Sequence, residues 1–182
     1  MANRVLVFVI SCTVMESTSV AQVKPVPKVG LIQYMQTGHA GVTRDLVAAA
    51  ELMAEGDYGF KPTDMPEART FAAVIAHTSA AMFDACAKLR GVPNPTPDAA
   101  TKLAPKAIVV QTLKDAVSLC TQAVGALNES SAGELVRQGP VEAPKSAVLA
   151  GLLAHNAEMY GISTVYLRAK NIVPPASRSA GR

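Results

Sequence analysis

Apolar residues recur along this chain in steps of three and four, and proline and glycine interrupt the period between runs, which predicts a series of amphipathic helices. The second run is the clearest at its ends. Phe71, Ile75, Thr78, Met82, Ala85 and Leu89 mark one helical face, and Gly91 with the prolines at 93, 95 and 97 stops it. A third helix can start at Pro105, where a missing N–H costs nothing. Its stripe is Val110, Leu113, Val117, Cys120, Val124 and Leu127, alternating steps of three and four as a bundle helix requires. Pro144 opens a fourth, with Leu149, Leu152, Leu153, Asn156, Met159, Tyr160 and Ser163 along its stripe and Pro174 and Pro175 ending it. The first helix carries Leu46, Ala50 and Met53 after Thr43, a candidate N-cap. Gly38 and Gly41 argue against an earlier start, since each costs about 1 kcal/mol inside a helix.

These patterns place helices near 43–56, 68–90, 105–128 and 144–171. Pro62 and Pro66 hold the first connection open, and Asn128 to Val141 reads as a long polar loop with a short turn around Glu134 to Val136. Four long amphipathic helices with a crossover or two predict an all-α four-helix bundle. Composition agrees. The 182 residues are about half apolar (49%), only 4% aromatic and without Trp, a mix suited to helices packed side by side in one domain. A net charge of +3, from scattered lysines and arginines, supplies no basic stripe and excludes nucleic acid as the expected partner. No P-loop, Rossmann glycine pattern, nucleophile elbow or internal repeat is present.

The amino terminus changes the compartment. Arg4, the apolar run Val5 to Val14, and Ser19-Val20-Ala21 form the three parts of a signal peptide, 1–21, with the mature chain starting near Gln22. The run falls short of the ~20 residues that span a bilayer, so no membrane span is expected. The expected location is periplasmic or extracellular. An alternative reads Val9-Ile10-Ser11-Cys12 as a lipoprotein signal, with the chain lipid-anchored through Cys12. Residues 22–30, with two prolines and two lysines, form an extended leader, and 177–182 a disordered tail. After cleavage only Cys86 and Cys120 remain. Export favours a disulfide between them, joining the second and third helices, against the alternative of two buried thiols packed as small hydrophobes.

The stretch HNAEMYGISTVYLRAKNIVPP, His155 to Pro175, resembles the last helix of the DinB/YfiT-like four-helix-bundle family. AAELMAEGDYGFKPTDMPEARTF (Ala49 to Phe71) is similar to that family's first interhelix connection, and VIAHTSAAMFDAC (Val74 to Cys86) to its second helix. The resemblance covers about residues 30 to 176 and implies a DinB-like bundle over 31–176, with a first helix that begins as early as Leu31. It also implies a divalent metal, zinc or nickel, held by three histidines, and a metal-dependent activity of thiol-transferase or hydrolase-like type on a small molecule or thiol. Homodimers are common among such proteins.

In that family the last helix usually reads His-x-x-x-His-Tyr-Gly. Here the first of the pair is His155, the second position holds Met159, and His77 matches the third ligand. A thioether is a poor partner for zinc or nickel and a fair one for copper(I). Met159 also lies in the apolar stripe, where methionines serve as packing. Among candidate replacements, Asp84 lies two turns from His77, ~10 Å along the axis and too far to share an ion. Asn156 and Tyr160 are weaker donors, and Cys86 is about half a turn round the helix from His77. His39 falls in the contested start of the first helix. Two readings follow: a protein retaining a metal- or thiol-related activity on His77 and His155, or a non-catalytic binding or structural bundle that has lost the site.

Overall fold

The computed structural model describes residues 26–101 and 105–179. The expected signal peptide with its Cys12 alternative, the start of the leader and residues 180–182 lie outside the described residues. Four long helices make the body: α1 (Leu31–Leu52), α2 (Phe71–Arg90), α3 (Lys106–Gly125) and α4 (Lys145–Ala169). A hairpin of β1 (Leu135–Gln138) and β2 (Val141–Pro144) precedes α4, and a short α5 (Pro175–Ser179) follows it.

Long-range contacts fix the helix directions. Gln36, early in α1, donates to the carbonyls of Val124 and Leu127 at 2.8 and 2.9 Å, and Lys106, at the start of α3, donates to Glu51 and Met53 at 2.8 and 2.7 Å. Those two helices are therefore antiparallel. Cys86 joins Cys120, and Arg90 donates to Gln122, so the carboxyl ends of α2 and α3 lie together and this pair is parallel. Lys170 pairs with Asp57 at 2.8 Å just beyond the ends of α4 and α1, and Gly38 faces Leu153, which makes α4 parallel to α1. The order is up-down-down-up. Its parallel step, α2 to α3, needs a connection that runs the length of a ~30 Å helix. The chain between Arg90 and Lys106 reaches roughly 50 Å when extended, ample for that crossover.

Local chemistry explains where the elements stop. Thr70 caps α2 by accepting from Ala73 N–H, and Gly91 ends it in the left-handed region at φ 67°. Asn171, at φ 58°, closes α4 in the same way before Pro174. Val26 to Gly30 are exposed and without helix.

Three expectations are corrected. The first helix starts at Leu31, as the resemblance implied, and not at Thr43, which lies mid-helix and donates its hydroxyl to the His39 carbonyl at 2.8 Å. The glycine cost is outweighed by burial of Ile32, His39 and Thr43 along the added turns. Part of the expected loop 128–141 is a two-stranded hairpin, with Gln138 opposite Val141 and Gly139 at φ 60° supplying the positive dihedral that a tight primed turn demands. The tail is helical through Ser179, because Pro175 starts a turn and Tyr160 Oη accepts from Ala176 N–H at 2.9 Å.

The core runs the length of the bundle. Leu46, Phe71, Ile75, Met82, Leu113, Leu149 and Leu167 are wholly buried. Among the described residues no Asp, Glu, Lys or Arg is buried, and no helix is long and apolar enough to cross a membrane.

Candidate functional site

Each helix buries a seam, and the residues beside the seam become the walls of any site. In α4 the seam is Leu149, Leu152, Asn156, Met159, Ser163 and Tyr166, all buried, in alternating steps of three and four. His155 stands one residue off that line, at its edge. In α2, antiparallel to α4, the seam includes Ile75, Thr78 and Met82, and His77 stands beside Thr78 at a matching level.

The two edge histidines meet. Their ring centroids are 5.1 Å apart at an interplanar angle of 80°. Both rings are half-buried. His77 is held below its ordinary pKa first by burial and then by the positive charge of Arg69 and by His155, with the Glu158 carboxylate acting in the opposite direction. The His155 Nε2 is buried without a hydrogen-bond partner.

The other candidates separate from this pair. Met159, one turn beyond His155, is 4% exposed and packs in the seam, its carbonyl accepting from Ser163 Oγ at 2.8 Å. Tyr160 turns to α5 through the bond to Ala176. Asp84 is exposed and paired with Lys88 at 2.6 Å, one turn along the same helix. Cys86 and Cys120 are joined in a disulfide with Cα atoms 5.1 Å apart, which removes both as thiols. Among the described residues no group of three His, Cys, Asp or Glu side chains converges.

A cleft of about 270 Å³ opens beside the pair, between α2, α4 and the hairpin. Ala81 and Ala85 form one wall, Gly151 and His155 another, and Ala143 and Gln138 the outer side. Small side chains at i and i+4 on both helices are what leave this space. Its surface is mainly apolar, with the His155 imidazole as its nitrogen group and Gln138, bonded to Lys88 at 3.1 Å, as its amide.

One chemically notable residue was not singled out by the sequence pattern. His39 is 3% exposed, its Nε2 has no partner, and burial lowers its pKa. Asn156, wholly buried in the seam of the neighbouring α4, has neither side-chain polar atom paired. The signal for His39 was the spacing Ile32, His39, Thr43, Leu46, Ala50, Met53, a continuous seam once α1 is allowed to begin at Leu31.

Solved structures with this fold are found at low sequence identity. A DinB-like protein from Bacillus cereus superposes with a TM-score of 0.67 at 12% identity, covering 78% of this chain and 93% of its own. A conserved protein from Enterococcus faecalis gives 0.60, also at 12% identity, over 78% of this chain and 97% of its own. The fold of this chain is that of DinB-like proteins. No family model matches the sequence, and no curated protein matches it.

Proposed function

We propose that the chain is an exported DinB-like bundle that uses the His77–His155 pair as a metal- or ligand-binding site at the end of the α2–α4 cleft. The approach of the two imidazoles to 5.1 Å carries this reading, since they come from helices far apart in sequence and both stand beside the core seam. The cleft supports it by giving a small molecule or thiol a mainly apolar place next to the nitrogens.

A resident zinc or nickel ion does not fit this donor set. Such ions take at least three nitrogen, oxygen or thiolate donors in a catalytic site, and here, among the described residues, two imidazoles converge without a third His, Cys, Asp or Glu side chain. Weak divalent binding is the expectation, and no reaction step is routed through it. The burial of Met159 in the seam favours a second reading, a binding or structural bundle without metal.

The two separate by titration of untagged protein with zinc and nickel, followed on His77→Ala and His155→Ala. Weak binding by the parent that either variant abolishes supports the pair. Equal behaviour of all three proteins removes the metal and leaves the bundle reading. Export rests on the signal-peptide pattern of residues 1–21 and is compatible with the Cys86–Cys120 bridge. An intact-mass measurement on protein from its native host should find the amino terminus near Gln22. A mass retaining Met1 or Ala2 defeats export by cleavage, and a diacylglycerol on Cys12 selects the lipid-anchored form.

A further inference from the structure

The cleft beside the histidine pair is a groove with small residues on both banks and the hairpin at one end. Counted from the His77–His155 contact, Ala81 and Gly151 lie one turn on and Ala85 and Ala147 two turns on, so the antiparallel helices set small side chains at matching levels. Val148 and Leu152, both buried, line its floor. A Cβ added at Gly151 would meet nothing within 4 Å. Packing within the chain does not demand this glycine, and its effect is open space over the groove. Ala147 to His155 spans ~12 Å along α4. Carbon–carbon bonds of ~1.5 Å advance ~1.3 Å each in a zigzag, so one extended chain of roughly nine bonds covers that length. The volume agrees. At ~30 Å³ for each water-sized group, about 270 Å³ holds roughly nine of them.

The polar groups that could hold such a chain stand at the hairpin end. Gln138 lines the cleft from β1, and its Oε1 accepts from Lys88 Nζ at 3.1 Å, which leaves the amide NH2 as the group offered to an occupant. Lys88, three residues beyond Ala85 on the same face of α2, gives a second proton to Asp84 at 2.6 Å and retains a third. Asp84 is 56% exposed, so water weakens its hold on the ammonium. No carboxylate lines the groove among the described residues. Two donors, one of them cationic, therefore stand at one end of an apolar channel. The matching head group is a carboxylate, an acceptor whose charge-assisted bonds are roughly twice as strong as neutral ones. An alcohol forfeits that gain, and an ammonium head meets donors alone.

We propose, on the reading of the α2–α4 cleft as a small-molecule site, that it binds a medium-chain aliphatic carboxylate. The head lies on Gln138 and Lys88, and the chain runs between the small residues of the two helices toward His155. The histidines close the far end and make no bond to the head.

The test is calorimetric titration of the untagged protein with octanoate, octan-1-ol and octylammonium, with zinc titrated separately. One octanoate per chain is expected, with octan-1-ol about tenfold weaker and octylammonium weaker again. Lys88→Met and Gln138→Leu, which keep most of the side-chain bulk, should each weaken octanoate by about fivefold or more. Lys88→Met should leave octan-1-ol within about twofold, because the alcohol carries no charge. Gly151→Leu, whose side chain enters the groove, should abolish binding of octanoate and octan-1-ol alike. Leu is the better helix former, so its melting temperature should not fall. Octanoate that binds no tighter than octan-1-ol, or equally well in Lys88→Met and Gln138→Leu, overturns the carboxylate. Octanoate binding kept in Gly151→Leu overturns the cleft as its place. A dimer in solution that Gly151→Leu converts to monomer assigns the groove to a second copy and likewise overturns the proposal. A parent that binds zinc weakly and no octanoate overturns the cleft ligand while the histidine pair stands. Octanoate binding that survives His77→Ala supports the cleft site even where zinc finds no pair.

Discussion

His39 links a single side chain to the stability of the bundle. It is buried in the α1 seam, its Nε2 is unpaired, and no carboxylate is buried in the described core to receive an imidazolium. Burial lowers its pKa from the ordinary 6.5. The unfolded chain therefore binds a proton at this residue before the folded chain does. Stability is full above about pH 6.5 and falls as pH drops from there toward the depressed folded value, at up to ~1.4 kcal/mol per pH unit. His77, lowered by burial, Arg69 and His155, adds a slope of the same sign. We expect urea midpoints to decline between pH 6.5 and 5, and His39→Leu to flatten most of that decline at little cost near pH 7. A parent protein whose midpoint is constant over that range contradicts a neutral buried His39. The same residue shows the limit of reading chemistry from spacing. The meeting of His77 and His155 was legible because their neighbours carry a recognisable pattern, whereas His39 sits between two glycines that argued against the start of its helix and so hid the seam spacing to which it belongs.

At the scale of elements, the start of α1 is fixed by a residue nearly a hundred positions away. Glu129 accepts from Ile32 N–H at 3.0 Å, satisfying one of the free amide groups of the first turn and placing a negative charge at the positive end of the helix. Gly30 is required for that approach, since a Cβ there would press on the Glu129 carboxylate. A cap from a distant loop leaves no local signature, which explains why Thr43, a capping residue type before an apolar run, is a misleading boundary. Helices two to four, whose stops are prolines, a threonine cap and Gly91, were legible to within a few residues for the opposite reason. Their caps are their own neighbours. The hairpin was hidden because strands of four residues hold no period to read, and Gly139 alone marks its turn. Glu129→Ala should cost about 1 kcal/mol and speed amide exchange in the first turns of α1. Gly30→Ala should reproduce the effect by displacing the carboxylate. Unchanged protection over 31–36 in both variants would show that Gln36 and packing hold the helix start unaided.

For the molecule as a whole, the up-down-down-up order places its largest entropic demand on the parallel pair α2 and α3, whose connection must cross the bundle before either helix gains the other's contacts. The Cys86–Cys120 bridge spans this step. It joins the carboxyl ends of the two helices, 34 residues apart in sequence and both wholly buried. A cross-link of that span removes about 3 to 4 kcal/mol of conformational freedom from the unfolded chain in the chain-entropy account. That is a large share of the 5–15 kcal/mol that holds a typical domain together. The core around it is nonetheless continuous from Leu46 to Leu167, so the reduced protein should still fold. We therefore expect Cys86→Ala/Cys120→Ala to keep its helical circular dichroism but to unfold at a urea midpoint lowered by an amount equivalent to about 3 kcal/mol or more. The lost sulfur packing adds to that loss. The parent, reduced under denaturant, refolded and kept reduced without alkylation, isolates the cross-link from the cavity term, because it retains both buried sulfurs that the double variant lacks. A double variant within about 1 kcal/mol of the oxidised parent would mean that the cysteines act as small apolar side chains and that the crossover needs no staple.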